Sequence, residues 1–112
     1  VTDSSTGYVL SHGARRSPDA AWSSRARHMR RDCPEFIVEL LSPFDRPRLT
    51  RAKMQEWIDN GAQLGWMIDC AKRKVTVFRS GQGPEEIVGV SSIVGEGPVA
   101  GFVLDLEAIW NI

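Results

Sequence analysis

The sequence predicts one small domain of the α/β or α+β class, built on a sheet with few helices. Two observations support this prediction: strand patterns surround a single strong helix pattern, and the chain has 112 residues. A chain of this length buries about two thirds of the surface that its unfolded form exposes, which is enough for one core and too little for two. We therefore expect a single domain over residues 1–112.

The first part of the chain carries short strand patterns. Residues 7–10 (Gly-Tyr-Val-Leu) favour a short strand, and Ser-His-Gly at 11–13 favours a turn. Pro18 biases the segment that ends at Trp22 toward an extended conformation. Residues 23–31 are rich in arginine and have no clear period, so we interpret them as a surface loop or a short helix.

The clearest strand covers residues 35–41, Glu-Phe-Ile-Val-Glu-Leu-Leu. Its apolar side chains fall on both faces, which predicts a central strand in a sheet that is covered on both sides. Glu39 is the exception. A carboxylate on a buried face is costly unless it is paired, protonated or bound to a metal ion.

A helix is predicted between Pro47 and the stop signal Asn60-Gly61, with Ser42 and Asp45 as candidate caps. Four apolar side chains cover one half of its helical wheel: Leu49, Met54, Trp57 and Ile58. Lys53 falls among them. It is the charged residue on the face expected to be buried.

Further strand patterns occupy residues 64–69, 75–78, 86–90 and 93–94. The polar turn at 70–74 joins the first two, which predicts an antiparallel hairpin. Residues 104–110 have the pattern of a final amphipathic turn or two.

Charge is unevenly distributed along the chain although the formal net charge is zero. Residues 15–53 hold nine arginines and Lys53 against five acidic residues, whereas residues 80–112 hold five acidic residues and no base. A basic stretch of this kind indicates a polyanion binder, with a solvated surface as the alternative.

Composition argues against several other classes of protein. No apolar run approaches the ~20 residues that span a bilayer, and the N-terminus lacks a signal-peptide pattern, so we expect a soluble, cytoplasmic protein. Cys33 and Cys70 fit reduced thiols. With His12 and His28 as the only histidines, their irregular spacing disfavours a zinc site.

Three ionisable residues occupy unusual positions: Asp19 after a proline, Glu39 inside the central strand, and Lys53 on the apolar helix face. Each has a structural alternative, respectively a turn cap, a buried ion pair, and a stem that extends past Trp57 to water. Together, two carboxylates and an amine in one half-buried pocket could hold a divalent cation and orient an attacking water.

The order and spacing of several segments resemble the Uma-two family of restriction-endonuclease-like proteins. The resemblance rests on residues 16–22, 36–43, 53–61, 65–69, 74–79 and 101–110. That family is assigned to the PD-(D/E)XK nuclease superfamily. The resemblance therefore implies a mixed central β-sheet flanked by helices and an endonuclease that hydrolyses phosphodiester bonds of DNA with Mg²⁺ or Mn²⁺.

Carried over by position, the resemblance makes Asp19 the first metal-binding carboxylate and Glu39 the second, with the backbone carbonyl of Leu40 as a further metal ligand. The superfamily's usual lysine position, two residues after Glu39, holds Leu41 instead. The resemblance implies that Lys53, on the following helix, takes the role of the catalytic lysine.

The resemblance also bears on partners. Arg15 and Arg16 are candidate phosphate contacts, which position a nucleic acid without reading its sequence. Nucleases of this type often act as homodimers, and Trp66 or Trp110 would serve such an interface or, more commonly, the core. Family members carry an additional N-terminal helical segment, so we expect an N-terminally truncated domain. The alternative function is an inactive nuclease-fold module that binds nucleic acid or a protein partner.

Overall fold

The computed structural model describes residues 2–3, 8–9, 15–16, 19–30 and 32–111. The strands are β1 (Thr2–Asp3), β2 (Tyr8–Val9), β3 (Arg15–Arg16), β4 (Ala20–Trp22), β5 (Phe36–Leu41), β6 (Leu64–Asp69), β7 (Lys74–Arg79), β8 (Glu85–Val88), β9 (Ser92–Val94) and β10 (Val103–Asp105). The helices are α1 (Arg25–Arg30), α2 (Pro47–Asp59) and α3 (Leu106–Trp110), with a 3₁₀ turn at Gly97–Val99.

A six-stranded mixed sheet in the order β1-β4-β5-β6-β7-β8 forms the centre of the fold. Strands β5 and β6 pair in parallel, and the other neighbours pair antiparallel. Helix α2 supplies the crossover that a parallel pair requires. The predicted mixed sheet flanked by helices and the predicted β6–β7 hairpin are therefore both confirmed.

Helix α2 packs on one face of this sheet through a narrow apolar stripe. Its buried side chains are Thr50, Met54 and Trp57, at spacing i, i+4, i+7. The helix approaches the sheet closely at Gly65, where an added Cβ would lie 2.7 Å from Met54 Cε. A glycine under the helix therefore allows the close contact between the two layers.

Two details of the predicted helix are wrong. Leu49 is 53% exposed, because it lies roughly 100° around the wheel from Thr50, beyond the narrow buried stripe. The caps also differ from the prediction. Arg46 is the N-cap and makes no side-chain capping bond, while Asp45 Oδ2 accepts from the Ser42 N–H at 2.8 Å within the preceding turn.

The opposite face of the sheet packs against the β9–β10 hairpin and α3. A second group of buried side chains lies here, including Phe36, Trp66, Leu106 and Trp110. Both tryptophans named as interface candidates belong to this core, which confirms the core interpretation. The amphipathic segment predicted at 104–110 is helical only from Leu106, because β10 extends through Asp105 and Asp105 Oδ1 then accepts from the Glu107 N–H at 3.0 Å as the helix cap.

Two further findings concern the cysteines and the character of the helices. Both cysteines are free thiols, Cys33 buried and Cys70 half-buried. Within the described ranges, no helix has the length and apolar character needed to cross a bilayer.

Gly95 lies between β9 and the 3₁₀ turn. Its substitution tests the close backbone contact in the β9–β10 hairpin, which covers this face of the sheet. Its N–H donates to the Phe102 carbonyl at 2.6 Å, and an added Cβ would overlap the backbone carbonyl of Val99. We expect Gly95→Ala to lower the free energy of unfolding by about 2 kcal/mol, because backbone must move to admit the methyl group. Urea unfolding measures the change.

The matched control is Gly83→Ala, where a Cβ would meet no atom within 4 Å. Its unfolding curve should stay within about 0.5 kcal/mol of the unsubstituted protein. Equal destabilisation by the two substitutions would contradict the close approach at Gly95.

Candidate active site

Glu39 points from the middle of β5 toward α2. It shares this face of the strand with Ile37, which belongs to the core beneath the helix, and it pairs in register with Met67 of β6. Glu39 is only 4% exposed. The carboxylate that the sequence placed on an apolar face is therefore buried in the layer between sheet and helix.

Lys53 reaches this carboxylate from α2. Its Nζ lies 4.0 Å from Glu39 Oε2, and its side chain is 47% exposed. The prediction that Lys53 lies on a buried face is wrong, because the residue sits about 60° around the helix from the buried stripe. The ammonium therefore contacts both the buried carboxylate and solvent.

Asp19 joins the pair from the neighbouring strand. The antiparallel register sets Ala20 opposite Val38, so Asp19, one residue earlier, comes alongside Glu39. Asp19 Oδ2 accepts a hydrogen bond from the Leu40 N–H at 2.6 Å, and its side chain is exposed. The structure thus brings Asp19, Glu39 and Lys53 together at one end of the β4–β5 pair.

Burial raises the pKa of Glu39 to about 7. The Lys53 ammonium opposes this shift, the Asp19 carboxyl adds to it by charge and by a hydrogen bond, and the Trp57 indole opposes it. Glu39 Oε1 is fully buried and accepts no hydrogen bond of ordinary geometry from the described residues.

Trp57 is the neighbour of Glu39 that sequence reasoning did not assign to the site. It is buried in α2, four residues after Lys53, and residues at this spacing lie on one side of a helix. This i, i+4 spacing was the sequence signal that could have assigned Trp57 to the site. It means that the residue that anchors α2 to the sheet also borders the carboxylate.

Several predicted site residues remain untested. The side chains of Arg15 and Arg16 lie outside the described part of the chain, as does Pro18. The Leu40 N–H binds Asp19, and a role for its carbonyl as a metal ligand stays a prediction. Among the described residues, no three His, Cys, Asp or Glu side chains converge in a metal-binding cluster.

An apolar cavity of about 500 Å³ lies on the other face of the same strands. Aromatic and aliphatic side chains line it, with Asp19 and Leu40 also contributing. The Asp19 end of the site therefore borders an apolar cleft that is open to solvent.

The fold is shared with a solved structure. A crystal structure described as "a putative nuclease belonging to DUF820", from Anabaena variabilis ATCC 29413, superposes with a TM-score of 0.80 at 20% sequence identity. The match covers 95% of this chain and 65% of the other, so this chain spans just under two thirds of its neighbour's length.

The chain belongs to the Uma2 family, described as "Putative restriction endonuclease", whose family model matches residues 1–107. This confirms the resemblance drawn from the sequence segments. No curated protein matches the chain.

The raised pKa of Glu39 predicts a pH-dependent stability in metal-free buffer. The native pKa of about 7 exceeds the ordinary value of 4.5, so the native state binds this proton more tightly than the unfolded state. The resulting stabilisation is complete below pH 4.5 and is lost as the pH rises through about 7.

Glu39→Gln removes this titration. Between pH 5 and pH 8.5, the free energy of unfolding of the unsubstituted protein should fall by about 2 kcal/mol relative to Glu39→Gln, as followed by urea denaturation in EDTA. Parallel pH profiles for the two proteins would contradict the raised pKa.

Proposed function

We propose that the protein is a divalent-metal-dependent nuclease that hydrolyses phosphodiester bonds of DNA. The observation that carries the proposal is the convergence of Asp19 and Lys53 on the buried Glu39 carboxylate. Membership of the Uma2 family supports the same activity.

The residues present fit a Mg²⁺ or Mn²⁺ ion. Mg²⁺ is usually held by one or two carboxylates and keeps several waters, and the site offers two neighbouring carboxylates, one with an oxygen that lacks a described hydrogen-bond partner. Asp19 and Glu39 would hold the ion, with the Leu40 carbonyl as a third donor. Bound there, the metal lowers the pKa of a water and offsets charge on the phosphate.

Lys53 is proposed to act on the reacting groups. Its Nζ lies 4.0 Å from Glu39 Oε2 and its side chain is 47% exposed, so the ammonium reaches both the carboxylate and the solvent from which a substrate would approach. In this position its ammonium can donate to an attacking water or to a phosphate oxygen. It therefore orients the water or stabilises the charge that develops in the transition state.

The distribution of charge supports a polyanionic substrate. Acidic residues of the C-terminal part pair with bases of α2 and β7: Glu86 with Arg51 of α2 and Lys74 of β7, and Glu85 and Glu96 with Arg79 of β7. Arg46, the N-cap of α2, and Arg48, in its first turn, have no ion pair with a described residue. Both are exposed and remain available to phosphates, and we propose Arg15 and Arg16 as further phosphate contacts.

Cleavage of supercoiled plasmid tests this function. With Mg²⁺ or Mn²⁺ the protein should nick or linearise the DNA, and EDTA should abolish the reaction. Asp19→Asn, Glu39→Gln and Lys53→Met should each lower the rate about a hundredfold or more, because each removes a group that holds the metal or stabilises transition-state charge.

Glu107→Gln and Lys72→Met are matched controls, since both side chains are exposed and lie outside the site. They should cleave at the original rate. Cleavage that persists in Glu39→Gln, or that ignores EDTA, would refute the assignment. Salt-sensitive DNA binding with no metal-dependent cleavage would instead support the inactive binding module.

A further inference from the structure

Phe44 is the most exposed large apolar side chain described, at 95%. It lies in the turn of residues 42–46, which connects β5 to α2. An aromatic ring almost wholly in water contributes nothing to the core, and burying it elsewhere would be favourable. The turn therefore presents an apolar ring to a partner.

The turn is held in a defined shape. Asp45 N–H donates to the Ser42 carbonyl at 3.0 Å, and Asp45 Oδ2 accepts from the Ser42 N–H at 2.8 Å. Pro43 and Pro47 fix the backbone φ angle on either side of the ring. Because the turn is already ordered in the free protein, its backbone loses little conformational entropy when Phe44 binds a partner.

The turn also lies beside the proposed active site. Phe44 is four positions after Leu40, whose N–H binds Asp19, so the two backbones are at most roughly 14 Å apart. The Lys53 ammonium is among the groups that lower the pKa of Asp45. A strand whose phosphate reached the carboxylates would therefore pass the ring within a few nucleotides.

The charges around Phe44 favour a nucleic acid over an apolar protein surface. Residues 42–53 contain Arg46, Arg48, Arg51 and Lys53 against the single acid Asp45. Arg51 pairs with Glu86, which leaves Arg46 and Arg48 exposed. An apolar partner would desolvate these guanidiniums without pairing them, whereas phosphates would pair with both.

We propose that Phe44 stacks on an unpaired base of the substrate strand, with Arg46 and Arg48 on the flanking phosphates, so that the protein acts on single-stranded or locally opened DNA. A phenyl ring carries no hydrogen-bonding atom and cannot read base edges. It can stack on the face of a base, which is free only where the base is unpaired or unstacked. This inference rests on the proposed function, because it places the strand at Asp19 and Glu39.

Binding in EDTA tests the inference without requiring cleavage. The probes are an oligonucleotide containing one 2-aminopurine and the same oligonucleotide in a fully complementary duplex. The protein should bind the single strand more tightly and change the fluorescence of the 2-aminopurine. Phe44→Ala should weaken single-strand binding about tenfold and abolish the fluorescence change, with little effect on duplex binding.

Three variants separate stacking from other roles. Phe44→Trp should retain both signals, because it keeps an aromatic ring. Val88→Ala should also retain them, since Val88 is a similarly exposed apolar residue, at 65%, on the distant strand β8. Arg48→Ala should weaken single-strand and duplex binding alike and reduce the salt dependence by one phosphate contact.

Unchanged single-strand binding by Phe44→Ala would overturn the inference, as would equal weakening toward both probes. A mass that halves on Phe44→Ala in light scattering would also overturn it, because the ring would then contact a second copy of the chain. If the protein cleaves plasmid but the unsubstituted protein and Phe44→Ala both bind the single strand no more tightly than the duplex, only this inference fails. The proposed nuclease function then stands.

Discussion

The packing of α2 across β5 and β6 is the interaction on which the rest of the structure depends. The two strands are parallel, so the chain has to cross the face of the sheet between them, and Met54 and Trp57 anchor the crossing against Ile37 and Met67. The same helix carries Lys53 to within 4.0 Å of Glu39. Core packing and the geometry of the site therefore share one interface, and a shift of the helix would alter both.

Much of the fold could be predicted from the sequence, since the central strand, the helix and the hairpin have strong periodic patterns. Glu39 could be singled out because a lone carboxylate in an apolar strand has few explanations. The pattern could not fix how wide the buried stripe of α2 is, so Leu49 and Lys53 were placed too deep. Nor could it show that Asp19 binds the Leu40 N–H, because strand register depends on pairing between distant segments.

Charges that are segregated along the sequence are partly paired in the folded structure. Along the chain, a basic stretch precedes an acidic one. In the fold, Glu86 and Glu96 turn back onto Lys74, Arg51 and Arg79. Exposed pairs of this kind add little stability. Their effect is to neutralise Arg51, Lys74 and Arg79, whereas Arg46 and Arg48 have no ion pair with a described residue.

The position of β4 at one side of β5 has a consequence for the order of folding. Residues 36–79 form β5, α2, β6 and β7, each packed on its neighbour along the chain, so we expect this block, whose contacts are local in sequence, to assemble early. It already contains Glu39 and Lys53. Asp19 lies earlier in the chain, yet it meets Glu39 only when β4 pairs with β5, so we expect the three proposed site residues to come together at a late step of folding.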